Sequence, residues 1–119
     1  MYYISKNFEL SCAHKVEMSD PALSEEIHGH NYNVTVYCKS AELNADGMVE
    51  DFRIIKSRIH KVLDHKYLND VIPYTTTSEN IARWIAEQIP HCYKVRVEET
   101  AKNVAVYTVD GFADSGDAL

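Results

Sequence analysis

The residues of this chain best suited to chemistry are three histidines. Two of them, in Ile27-His28-Gly29-His30-Asn31-Tyr32, are one residue apart and open the run Tyr32-Asn33-Val34-Thr35-Val36-Tyr37-Cys38, which alternates apolar with polar side chains. Such alternation marks a strand, because successive side chains of a strand point to opposite faces. Residues i and i+2 then share a face, so His28 and His30 can offer two imidazoles to one metal ion. The segment Phe8-Glu9-Leu10-Ser11-Cys12-Ala13-His14 supplies a third, since Phe8, Leu10 and Cys12 make an apolar face and His14 falls on it. Tyr32, Val34, Val36 and Cys38 continue the side that carries His28 and His30, so parity lets all three imidazoles face one side of one sheet. Three neutral imidazoles with a fourth position left open are the usual holding of a catalytic zinc. A bare HxH pair is a weak motif, and it is the third histidine at matching parity that gives it weight.

Three further groups carry chemical potential. In Tyr93-Lys94-Val95-Arg96-Val97-Glu98-Glu99-Thr100 the odd positions form an apolar face on which Glu99 falls. A carboxylate on a buried face is costly unless paired. The flat donor–donor edge of a heterocycle would pair with it as a guanidinium does. The equal alternative is a strand that ends before Glu99 and leaves it solvated. Asp64 and His65, in Leu63-Asp64-His65-Lys66, suit an oriented acid–base histidine. A histidine balancing a helix C-terminus is the simpler reading of that pair alone. Thr77-Ser78-Glu79 fits a helix N-cap, and N–H groups exposed there could also receive an anionic or carbonyl-bearing ligand.

These groups must be positioned by one domain, since 119 residues allow a single core. The formal net charge of −6 argues against a nucleic-acid partner and repels anions, so an anionic substrate would need local cations or a metal. The three cysteines, Cys12, Cys38 and Cys92, have no paired spacing, which argues against a disulfide framework. No leader-like or membrane-spanning run is present, and a reducing cytoplasm is the default location.

The spacing predicts strands over 2–14 and from His28 to about Lys39, with a functional loop over 15–27 between them. A turn at Asn44-Ala45-Asp46-Gly47 precedes a helix capped by Asp51, with Phe52, Ile55, Ile59, Val62 and Leu63 at helical spacing and an end near Asp64. A second helix opens at Thr77, buries Ile81, Trp84, Ile85 and Ile89, and stops at Pro90. Strands over 93–100 and 103–109 close the domain, and a tail from about residue 111 has little to pack and is expected to be mobile. The order β-β-α-α-β-β predicts an α+β layer, a four-stranded antiparallel sheet with two helices on one face. Its two open edges would most simply be covered by self-association.

Taken together, Cys12-Ala13-His14, His28-Gly29-His30, Gly47-Met48-Val49-Glu50-Asp51-Phe52, Leu63-Asp64-His65-Lys66-Tyr67-Leu68-Asn69, Thr77-Ser78-Glu79-Asn80 and Glu98-Glu99-Thr100 resemble the 6-pyruvoyl-tetrahydropterin synthase family. That family includes the 6-carboxy-tetrahydropterin synthases of queuosine biosynthesis, and the resemblance covers roughly Phe8 to Tyr107. It implies a tunnelling fold (T-fold), in which subunits join sheets into a barrel as a homo-oligomer, a hexamer or tetramer, with active sites at subunit boundaries. It implies Zn2+ on His14, His28 and His30, and a pterin edge anchored by Glu99 in a pocket lined by Thr77, Ser78 and Glu79. It implies proton transfer by Asp64 and His65, and 7,8-dihydroneopterin triphosphate as substrate. Lys15, Lys66 and Lys102 are candidates for meeting the phosphates.

The sequence departs from the family where its cysteine base is expected. Ser24 stands there, four residues before His28, and an unassisted hydroxyl is a far weaker base than a thiolate. Glu25, beside Glu26 and three residues before His28, resembles a branch in which a glutamate replaces the cysteine and the side chain is cleaved to 6-hydroxymethyl-dihydropterin, a folate precursor. Cys12 offers another thiol, but its parity suits a small core residue. A pterin-binding homologue with impaired catalysis and an unrelated small metallohydrolase are the competing readings.

Overall fold

The computed structural model describes residues 1–109, so the tail expected from about residue 111 lies outside the described residues. The two alternating runs pair over their whole length. β1 (Tyr2–His14) and β2 (His28–Ser40) are antiparallel, in continuous register from Tyr2 opposite Ser40 to His14 opposite His28. β3 (Cys92–Thr100) adds to β2 and β4 (Asn103–Thr108) to β3, giving an antiparallel sheet in the order β1-β2-β3-β4. Register shifts occur between Tyr37 and Cys38 and between Glu98 and Thr100. At the second, Glu99 is the extra residue of a bulge, a device that re-aims side chains.

Both helices lie on one face, and both start at a side-chain cap. Asp51 accepts the Arg53 N–H at 2.8 Å and opens α1 (Phe52–Leu63), while the Arg53 guanidinium holds the Asp51 carboxyl down at about 2. Thr77 accepts the Asn80 N–H at 3.2 Å and opens α2 (Ser78–Gln88). α1 buries Ile55, Ile59 and Leu63, whereas Phe52 and Val62 of the expected stripe stay exposed. α2 buries Ile81, Ala82, Ile85 and Ala86, with Ile89 just beyond; Trp84 packs only at the margin of the core.

The core lies between helices and sheet, with Phe8, Leu10, Cys12, Tyr32, Val34, Val36, Val95 and Val97 on the inner face. The outer face is polar: Asn7 donates to Asn33 Oδ1 at 2.7 Å and Thr35 Oγ1 at 2.9 Å, and Ser11 donates to Asn31 at 2.8 Å. The expected open edge of β1 is partly closed. Its C-terminal end is bonded by the segment after α1, through His65 N to Ser11 O at 2.7 Å and Ala13 N to Lys66 O at 3.0 Å. Among the described residues no helix is long and apolar enough to cross a membrane.

Candidate metal centre

The register that pairs β1 with β2 puts His14 directly opposite His28, and His30 is the next inward residue along β2. Their ligand atoms all lie within 4.8 Å of one another, with His14 Nε2 3.1 Å from His28 Nε2. His14 is buried; His28 and His30 are half-buried, so the cluster opens to one side. The far nitrogens are fixed by backbone acceptors. His14 Nδ1 meets the Thr76 carbonyl at 2.8 Å, and His28 Nδ1 meets the Glu26 carbonyl at 2.8 Å. A nitrogen that meets a carbonyl must carry the proton, so both Nε2 atoms are lone-pair acceptors. Two lone pairs 3.1 Å apart repel unless something positive lies between them. His30 Nε2 is buried without any hydrogen-bond partner, a costly condition that a shared cation would end. The residues present therefore fit a metal ion, and the outer carbonyls orient the rings as they do around bound metals.

Burial is the main cause that lowers the His14 pKa from its ordinary value, with the neighbouring imidazoles adding to it and the Thr76 carbonyl and Glu99 opposing. In the metal-free protein this has a definite sign. His14 is neutral when folded but takes a proton in the unfolded chain below the ordinary value of 6.5, so the unfolded state binds more protons there. The contribution is complete above 6.5 and is lost as pH falls below it toward the depressed folded value. The melting temperature of EDTA-treated protein should fall between pH 7.5 and 5.5, and His14→Gln should flatten that part of the curve.

Carboxylates approach the cluster from both sides. Glu25 Oε1 lies 3.9 Å from His28 Nε2, its backbone held by a bond from Glu25 N to Val16 O at 3.0 Å. Glu99 Oε1 lies 3.8 Å from His30 Nε2, and Ser78 Oγ is 3.5 Å from Glu99 Oε2. The bulge thus keeps Glu99 on the inner side, half-buried, and β3 does not end before it. Ser78, Glu79 and Glu99 share a cavity of about 400 Å³ with Lys102 and the start of β4. The Thr77 hydroxyl is occupied as the α2 cap.

Other candidates are placed elsewhere. The Ser24 hydroxyl accepts the Met18 N–H at 2.9 Å and faces the Met18 carbonyl at 3.4 Å, so it closes its own loop. Cys12 is buried, donates to the Leu63 carbonyl at 3.3 Å, and is pushed up to about 12 by burial and then by Asp64. It is a core residue. Asp64 Oδ1 accepts the Ser11 N–H at 2.9 Å, and Oδ2 lies 3.3 Å from His65 Nε2 and 3.4 Å from His60 Nε2. His65 adopts φ 58° and is exposed. It borders a cavity of about 510 Å³ whose lining includes Ser11, Cys12, Ala13, Gly29, His30 and Asn31. Among the described residues no hydrogen bond or ion pair joins Asp64 or His65 to the three histidines. Lys15 pairs with Glu17 at 3.4 Å, Lys66 borders the His65 cavity, and Lys102 borders the Glu99 cavity.

Two contributors carry no sequence signal, the carbonyls of Thr76 and Glu26, because a backbone acceptor is supplied by any residue. Thr76 is fully buried and fixed by its hydroxyl to the Lys15 carbonyl at 3.3 Å and Asn69 Oδ1 at 3.2 Å.

A helix-covered antiparallel sheet whose inner face ends in three convergent imidazoles defines a small α+β protein with a candidate metal site. The family model of 6-pyruvoyl tetrahydropterin synthase matches residues 3–110, and the chain belongs to this family of pterin-processing lyases. It is 26% identical over 123 residues to 6-carboxy-5,6,7,8-tetrahydropterin synthase of Bacillus subtilis, covering 89% of this chain and 84% of that one. It is 39% identical over 80 residues to dihydroneopterin monophosphate aldolase of Pyrococcus furiosus, covering 65% of each. The structure of Caenorhabditis elegans 6-pyruvoyl tetrahydropterin synthase superposes with a TM-score of 0.70 at 25% identity, over 90% of this chain and 94% of that one. The tunnelling-fold subunit expected from the sequence is therefore the fold observed.

Proposed function

We propose that this chain is a zinc-dependent lyase that takes a phosphorylated 7,8-dihydroneopterin and cleaves its side chain, with Glu25 as the base. The observation that carries this reading is the reach of the Glu25 carboxylate to within 3.9 Å of His28 Nε2 while the Ser24 hydroxyl is spent on its own loop. The similarity to a dihydroneopterin monophosphate aldolase supports it.

The Glu99 carboxylate accepts the paired N–H donors of the amino-pyrimidinone edge, with Ser78 beside it, and this orients the side chain toward the histidines. Zinc on His14, His28 and His30 supplies a Lewis acid for the side-chain oxygens. Glu25 removes the proton of the hydroxyl on the second side-chain carbon. That carbon becomes an aldehyde as its bond to the first breaks, and the electron pair passes into the conjugated C=N of the ring. The first carbon then takes up a proton, giving 6-hydroxymethyl-7,8-dihydropterin and a phosphorylated glycolaldehyde. A general base of this kind contributes about 10²–10⁴ in rate. Among the described residues Asp64 and His65 share no hydrogen bond or ion pair with the imidazoles of their own chain; in the proposed enzyme, a homo-oligomer, they deliver protons to the site of a neighbouring copy.

Incubation with 7,8-dihydroneopterin triphosphate or monophosphate and identification of products by mass tests the reading. A 6-pyruvoyl or 6-carboxy product would overturn the cleavage step, and pterin binding without turnover would make the chain a binding homologue. Ser24→Ala is expected to leave kcat unchanged; a collapse of kcat with metal content intact would move the base to Ser24.

A further inference from the structure

Only two buried side-chain polar atoms among the described residues have no hydrogen-bond partner, His30 Nε2 and Tyr32 Oη. They belong to consecutive inward positions of β2. The first is explained by a metal ion, whereas the second has no place in the reaction described so far.

Tyr32 is fully buried, so its hydroxyl cannot reach bulk water. Its position is unusual in one respect. In the ladder His14 is opposite His28, four residues from Tyr32, a separation of roughly 13 Å along the strand. Yet the ring centroids of Tyr32 and His14 are only 5.9 Å apart, and those of Tyr32 and His30 are 5.3 Å apart, both edge-on. Side chains standing upright on the sheet could not meet across that gap. One or both of the Tyr32 and His14 rings therefore lean along the strands toward the other, which packs the tyrosine, with its unpartnered hydroxyl, against two of the three imidazoles.

We propose that the Tyr32 hydroxyl is a positioning group of the metal centre: it donates a hydrogen bond to the oxygen atom occupying the open position of the ion, a water at rest and a side-chain oxygen of the substrate in the complex. This rests on the reading of His14, His28 and His30 as metal ligands. The chemistry is complementary. The phenol O–H of a ring packed against His14 and His30 is a donor with nothing of the protein to donate to, and an oxygen at the open position of the ion would be an acceptor held in place. The donor also fixes which lone pair of the substrate oxygen meets the ion, so it selects an orientation of the side chain as Glu99 selects that of the ring.

The test uses the full chain loaded with cobalt(II), whose visible spectrum reports what occupies the open position. Tyr32→Phe keeps the ring that packs on His14 and His30 and removes only the oxygen. It is expected to retain one metal ion per chain and to bind acetohydroxamate, an oxygen ligand, about tenfold more weakly, the loss of one hydrogen bond. Its affinity for 2-mercaptoethanol, whose sulfur is a poor acceptor, should be unchanged. Equal weakening of both probes would reveal a packing effect, and unchanged hydroxamate affinity would leave the hydroxyl idle; either overturns the proposal. Loss of metal from the variant would make Tyr32 a ligand and overturn it as well. Failure of the wild-type chain to hold the ion overturns the metal centre itself, a result distinguishable from all of these.

Discussion

His14→Ala is expected to abolish stoichiometric metal binding and, with it, turnover. Of the three imidazoles His14 is the most constrained: it is buried and held by Thr76, and its Nε2 stands 3.1 Å from that of His28. Removing an outer hydrogen-bond partner of a metal-bound histidine commonly costs 10–100-fold in affinity, and removing the ligand itself should cost more. Two remaining imidazoles leave the ion one protein ligand short of the three that usually hold a catalytic zinc. Metal analysis after dialysis against a weak chelator reads the result directly. Because a buried truncation also leaves a cavity, the half-buried His28→Ala serves as the control, with the same expected loss of metal and a smaller cost in stability. His65→Ala should keep the metal, because His65 is exposed, pairs with Asp64 and is not one of the three clustered imidazoles. A metal-replete His14→Ala chain that stays folded would dismiss the three-histidine centre.

What the sequence makes legible here is parity. A strand has a period of two, so the shared face of His14, His28 and His30 follows from numbering once β1 and β2 are recognised, and the register completes it by setting His14 opposite His28. Glu99 is a harder case. Parity places it on the inner face, but whether the strand persists that far depends on the bulge at Glu98–Thr100, which arises from pairing with β4 and not from any local residue preference. Ser24 and Glu25 are neighbours in a loop with no period, so only the turn geometry, with Ser24 tied to Met18 and Glu25 to Val16, separates their roles. The face to which His65 turns is likewise unreadable, because φ 58° at that residue re-aims the chain after α1. The packing of the Tyr32 ring against His14 is set by side-chain tilt across the ladder, so its spacing shows only an inward residue.

Glu25→Gln is the second large effect, a fall in kcat of about 10²–10⁴ with metal content unchanged. Glutamine keeps the length and shape of glutamate but has no basic oxygen, so the proton of the substrate hydroxyl has nowhere to go. The backbone bond from residue 25 to Val16 does not involve the side chain, so the loop should hold its path. Binding of a pterin without the cleavable side chain should be retained, because the proposed ring anchors, Glu99 and Ser78, lie at His30 and not at Glu25. Glu25→Asp shortens the reach by one methylene and tests position separately from basicity; it should keep a fraction of the activity that Glu25→Gln loses. Glu26→Gln should be silent, since that residue contributes its carbonyl to His28 and its side chain is exposed. Stopped-flow product release and metal analysis on the same preparations separate loss of chemistry from loss of the site. A Glu25→Gln chain that turns over at the wild-type rate would require another base, and Cys12, sealed against the Leu63 carbonyl, is not placed to supply it.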